Sequence, residues 1–138
     1  MSWLFRRTVA GAVLAVAAIA AAPALAADGK WTAVSKTAMS ITGDITVSGG
    51  AIRFENGASI GLKPVSGTPR LFAVEPAGNP ELLNGNYLCS PAEGPKYVAL
   101  AELGTTLTLL AFDGPKEPAL AENPLEQDDI CAMFTYAR

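Results

Sequence analysis

Apolar residues recur with a period of two over most of this 138-residue chain. Ile41, Ile45 and Val47 alternate with Thr42, Asp44, Thr46 and Ser48, and Ile52 and Phe54 alternate with Arg53 and Glu55. Ile60 and Leu62 then resume the pattern. Successive side chains of a strand point to opposite faces, so this spacing predicts strands with one buried face. Ser48-Gly49-Gly50 and Asn56-Gly57 interrupt the runs, and both supply residues that tolerate positive φ. Residues 41–63 therefore read as a three-stranded meander.

Further strands are expected at 31–35, 70–75, 85–89, 96–102, 105–113 and 130–136, separated by turns built on Gly and Pro. The stretch 114–129 holds three prolines and many polar residues and reads as a long surface loop. No part of 28–138 has the i, i+3, i+4 spacing of a three-turn helix. The best short candidate, 118–122, is confined to about one turn by prolines 115, 118 and 124. All eight aromatic residues of 28–138 (Trp31, Phe54, Phe72, Tyr87, Tyr97, Phe112, Phe134 and Tyr136) fall in expected strands, as they should if strands carry the core. An all-β domain with eight or nine strands has two economical forms: a small antiparallel barrel of about eight strands, or a two-sheet β-sandwich. Hairpin-like spacing favours an up-and-down barrel, which leaves no open edge.

The first 27 residues differ from the rest. Arg6 and Arg7 precede an alanine-rich apolar run, Val9 to Ala22, and Pro23 breaks it before Ala24-Leu25-Ala26. This is the layout of a helical, cleavable signal peptide, with small residues where a peptidase cuts. The competing reading is a retained anchor, against which stand the weak hydrophobicity of alanine and the break at Pro23. Arg6-Arg7 fits either an ordinary basic n-region or a twin-arginine export signal. The expected division is a leader over 1–27 and one β domain over 28–138, periplasmic or secreted and without a membrane anchor after cleavage.

Charge and composition then narrow the chemistry. Losing Arg6 and Arg7 from ten basic residues leaves eight against thirteen acidic ones, a net charge of −5. That balance speaks against nucleic acid and anionic lipid as partners, which both call for clustered Lys and Arg. Histidine is absent, which removes the commonest general base and metal ligand. Cys89 and Cys131 have one possible pairing, and an exported chain meets an oxidising compartment, so a structural disulfide is expected. A metal pair or a reactive thiol would suit a C-x-x-C spacing or a histidine companion, and neither is present.

Four features have bland readings. Gly57-Ala58-Ser59-Ile60-Gly61 matches the G-x-S-x-G of serine hydrolases, but it falls in an expected hairpin and has no histidine base. Lys63 is too far along the same strand to serve Ser59. Glu122, Glu126, Asp128 and Asp129 form an acidic cluster without the spacing of a calcium loop, and read as solvated. Asp44 beside Gly43 reads as part of a polar face or bulge. Arg70, Lys96 and Tyr97 are scattered surface residues that could form a binding patch.

Gly29-Lys30-Trp31 resembles the G-x-W that opens the barrel in lipocalins, avidins and the small periplasmic metalloprotease inhibitors of bacteria. The resemblance implies a Trp packed across the closed end of a barrel. It does not imply biotin binding, because avidins line their pocket with several Trp and 28–138 contains one. Tyr87-Leu88-Cys89 is similar to the Tyr-x-Cys strand of the periplasmic inhibitor of C-type lysozyme. In that family a Ser-Gly-x-x-Tyr loop follows the strand; here Ser66-Gly67-Thr68-Pro69-Arg70 precedes it and ends in Arg, so no inhibitory residue carries over. Ile41-Thr42-Gly43-Asp44-Ile45 and the C-terminal Cys-x-x-Phe-x-Tyr look like those of small exported Gram-negative proteins to which no activity is assigned.

With no catalytic set, no cofactor motif and no metal-ligand set in view, the expected function is binding rather than catalysis. Its first form is a periplasmic protein-binding module, such as an inhibitor of an envelope hydrolase. The alternatives are a carrier holding a small apolar ligand inside the barrel, and a structural component of the envelope.

Overall fold

The structure is a computed structural model that describes residues 27–120 and 129–138. The leader assignment and the acidic residues Glu122, Glu126 and Asp128 lie outside the described residues. Eight strands run antiparallel in chain order and close into a barrel. They are β1 (Gly29–Ala33), β2 (Ile45–Ser48), β3 (Ala51–Arg53), β4 (Ser59–Pro64), β5 (Leu71–Val74), β6 (Tyr97–Leu103), β7 (Thr106–Phe112) and β8 (Ile130–Ala137). The barrel, and not the sandwich, is therefore the fold. Closure depends on β1, which divides its pairing. Gly29, Lys30 and Trp31 face Val47, Thr46 and Ile45 of β2, whereas Thr32 and Ala33 face Ala137 and Tyr136 of β8.

The split would leave the Ala33 N–H without a ladder partner, and Asp44 supplies one. Its Oδ1 accepts from Ala33 N at 2.9 Å, while its own N–H donates to Glu55 Oε1 at 2.9 Å. The polar residue in an apolar run is thus a structural acceptor at the barrel's seam.

Two of the expected meander turns differ in kind. Ser48 pairs with Ala51 across the two-residue turn Gly49-Gly50, with Gly50 at φ 94°. Between β3 and β4, Arg53 pairs with Ser59, so the connection is a five-residue loop. Asn56 works there through its side chain, whose Oδ1 accepts from Ala58 N at 3.0 Å, and Gly57 takes φ 93°.

Three expectations are corrected. Residues 85–89 do not form a strand: they follow the 3₁₀ turn Leu83–Gly85, in which Asn84 and Gly85 take φ 58° and 73° and break any extension. The first part of 41–48 is likewise not extended. Ala38–Thr42 is a short π-helical turn, and the strand starts only at Ile45, after Gly43 at φ 65°. Of the expected helical turn at 118–122, residues 118–120 are not helical, and the other two lie outside the described residues. Consequently Tyr87 sits in a loop and Phe54 one residue beyond β3. The other six aromatic residues lie in strands.

Inward-facing residues from every strand, among them Trp31, Val47, Ile52, Leu62, Phe72, Val98, Leu109, Phe134 and Tyr136, form one buried cluster. An eight-stranded barrel is wide enough for side chains to fill or for one small ligand, and here the buried side-chain cluster occupies the interior. Both ends are stoppered. The connections β1–β2 and β5–β6 send Ala38, Leu82 and Leu88 into the cluster. At the other end Trp31 is 1% exposed, donates Nε1–H to Ala27 O at 2.7 Å, and is covered by the Arg138 guanidinium 3.9 Å from its ring centroid. Arg138 is held by Glu102 at 3.4 Å and by Asp28 O at 3.1 Å.

Cys89 and Cys131 form a disulfide with their Cα atoms 5.2 Å apart. The expectation of the bond holds, but it does not join two strands. Cys89 belongs to the β5–β6 loop, and Cys131 is the extra residue of a bulge in β8, where Phe112 pairs with Ile130 and Ala111 with Ala132. The bond closes 42 residues, which removes about 4 kcal/mol of unfolded-chain freedom in the chain-entropy account.

Candidate functional site

The β7 sequence Leu109-Leu110-Ala111-Phe112 is apolar on both faces of the strand. Leu109 and Ala111 fill the barrel, so Leu110 and Phe112 must be covered from outside. They join Leu71 and Ala99 in a second buried cluster on the outer wall, against which Val65, Tyr97, Leu120 and Ile130 pack. The segment 114–120 is therefore a strap laid along the wall and not a free surface loop. Its root is fixed where Asp113 N donates to Asp129 O at 3.2 Å and the Asp129 carboxylate packs on Gly114.

The strap carries its far residues to the β4–β5 turn at the opposite end of the barrel. Residues 67–70 and 117–120 become the two walls of a groove of about 500 Å³. On one wall, Thr68 N donates to Val65 O at 3.3 Å and Leu71 N to Thr68 O at 3.3 Å, so the turn is internally bonded. Arg70 holds φ 71°, a left-handed conformation that costs a non-glycine residue about 1–2 kcal/mol. Its carbonyl accepts from Leu100 N at 3.0 Å, which anchors it to β6 while the side chain stays exposed. Among the described residues its guanidinium makes no ion pair. The facing wall offers exposed Glu117, buried Pro118 and half-buried Leu120. The pre-formed turn and its prolines lose little backbone entropy on association, and arginine is among the residue types enriched in interface hot spots.

A second groove, of about 330 Å³, lies over the disulfide and is lined by Ile41, Tyr87, Pro91 and Met133 besides both cysteines. Met133 is about half exposed, at 48%. Tyr87-Leu88-Cys89 thus divides its roles: Leu88 stoppers the barrel, Cys89 staples it and Tyr87 lines this groove.

The remaining candidate residues separate. Ser59 and Lys63 are exposed, about 13 Å apart along β4, and Lys63 pairs with Glu75 at 3.9 Å. The glycines of that G-x-S-x-G serve the fold. Gly57 makes the turn, and a Cβ on Gly61 would strike the backbone carbonyl of Glu75. Arg70, Lys96 and Tyr97 do not form one patch. Arg70 lies level with Leu100, three residues and about 10 Å from Tyr97. Lys96 pairs with Glu93 at 3.7 Å, and Tyr97 packs in the outer cluster beneath the strap. Sequence reasoning named both walls of the groove as loops but not their meeting; the double-faced apolar run of β7 was the available signal.

No family model matches the chain, and neither a curated protein nor a solved structure matches it.

Proposed function

We propose that the protein is a non-catalytic binding module of the bacterial cell envelope that recognises another protein through the groove between 67–70 and 117–120. The observation that carries this reading is the distribution of space. The barrel's inward positions are taken up by the protein's own side chains, while two anchored segments frame a groove on the outside. A carrier of apolar ligands would need the reverse arrangement. The disulfide is compatible with an oxidising compartment, and the leader-like N-terminus supports export. An excess of acidic over basic residues, thirteen against ten, suits a basic target such as a lysozyme-like hydrolase, so inhibition is the most concrete form of the reading.

The test is capture from an envelope extract with wild type, the double variant Arg70→Glu/Glu117→Lys, and Arg53→Glu on the outer face of β3. Wild type and Arg53→Glu should retain the same protein. The groove variant should bind it at least about tenfold more weakly, the scale of a hot-spot residue. Equal retention by all three, or a bound lipid or metabolite with no protein, would refute the assignment.

A further inference from the structure

The disulfide has a third neighbour. The Sγ atoms of Cys89 and Cys131 and a carboxylate oxygen of Asp113 all lie within 4.8 Å of one another. The three residues come from separate elements: the β5–β6 loop, the β8 bulge and the position just after β7. Asp113 is half-buried, and among the described residues its carboxylate has no hydrogen-bond or ion-pair partner. Asp129, bonded through its carbonyl to Asp113 N, adds a second negative charge at the same corner. The groove lined by Tyr87 and Met133 is also lined by both cysteines, which are half-buried.

We propose that the dithiol form of this corner holds a thiophilic divalent cation of the zinc class between Cys89, Cys131 and Asp113, exchanging a covalent staple for a metal one. Around a tetrahedral zinc, with Zn–S of about 2.3 Å and Zn–O of about 2.1 Å, ligand atoms stand roughly 3.5–3.8 Å apart. The three atoms lie within 4.8 Å of one another, so the site forms when the two sulfurs separate and the carboxylate oxygen settles about 3.6 Å from each. Both sulfurs can do so, because one sits on a loop and the other on a bulge. Two thiolates with one carboxylate suit a borderline ion such as Zn²⁺ better than Cu(I), which prefers sulfur alone. The fourth position faces the groove and is left to water. The oxidised form cannot bind in this way, since metal coordination needs thiolates.

The chemistry balances with a dithiol reductant. Its two thiols become a disulfide, the Cys89–Cys131 bond breaks, and each cysteine gains a proton. Binding of the cation then releases those two protons to solvent. Sequence spacing gave no hint of this set, because Asp113 meets the cysteines only through the fold.

The test reduces the protein with a trialkylphosphine, which with one water yields two thiols and the phosphine oxide. The reductant is removed under nitrogen, and Co²⁺ is titrated in, followed by Zn²⁺. Wild type should take up one Co²⁺ with sulfur-to-cobalt charge-transfer absorption, and Zn²⁺ should displace it. Asp113→Asn should bind at least about tenfold more weakly, and the oxidised protein and C89S/C131S should show no such band. Equal affinity in wild type and Asp113→Asn would overturn the proposal, because an unfolded chain with two thiols would behave that way. So would absence of the band, or far-ultraviolet circular dichroism showing that reduction destroys the barrel and metal does not restore it.

Discussion

Tyr136 is a phenol shut inside an apolar barrel, and its hydroxyl needs a partner. Thr42, also fully buried, provides it at 2.7 Å. Thr42 Oγ1 also reaches Gly43 O at 2.9 Å and Ala38 O at 3.2 Å, so the hydroxyl pair is tied to the backbone. Burial holds the phenol well above its ordinary pKa of 10.0, and the Thr42 bond opposes that shift without cancelling it. Because the uncharged form is favoured in the fold, this contribution is intact below pH 10 and is lost as pH rises beyond it. Tyr136→Phe should therefore cost about 1 kcal/mol in urea denaturation at neutral pH. It should also lose less stability than wild type between neutral pH and above pH 10. A wild type and variant that fall in parallel would contradict the assignment. Alternation put Tyr136 on the apolar face and Thr42 on the polar one, yet both are buried, and their bond spans 94 positions, which no local pattern reports. Asp44 is similar: its role was hidden because its acceptor function is set by where β1 changes partner.

At the scale of elements, alternation located the strands well because each has one face in the barrel core. It failed at 85–89, where Tyr87 and Leu88 looked like strand residues although Leu88 is a plug reached through left-handed turns. It failed at 41–44 for the same reason, since Ala38–Thr42 packs over the end of the barrel and not within its wall. The G-x-S-x-G segment gives a sharper test of element reasoning. If its glycines serve packing, Gly61→Ala should destabilise by about 1–3 kcal/mol, because β4 cannot move away from the Glu75 backbone, whose N–H donates to Gly61 O at 3.1 Å. Ser59→Ala, on an exposed site, should change stability by less than about 0.5 kcal/mol. Thermal melts of the two variants decide; a neutral Gly61→Ala would show that the close approach is not restrictive.

For the whole molecule, what mattered was where the chain puts its bulk. An eight-strand closure sets an interior that aromatic and branched side chains fill, and the surplus apolar surface of β5–β7 is covered by the 114–120 strap. The sequence carried the barrel in its hairpin spacing and the staple in its cysteine count. It could not carry the groove, which exists only because the strap crosses the outer wall to the 67–70 turn. The proposed recognition therefore falls on the outside of the barrel. The most direct check is native mass spectrometry of the protein purified from its own cells without denaturation. The account predicts a chain two hydrogens lighter than its dithiol form, carrying no small molecule. A stoichiometric lipid or metabolite that leaves only on collisional activation would mean that the interior is a container, and would contradict it.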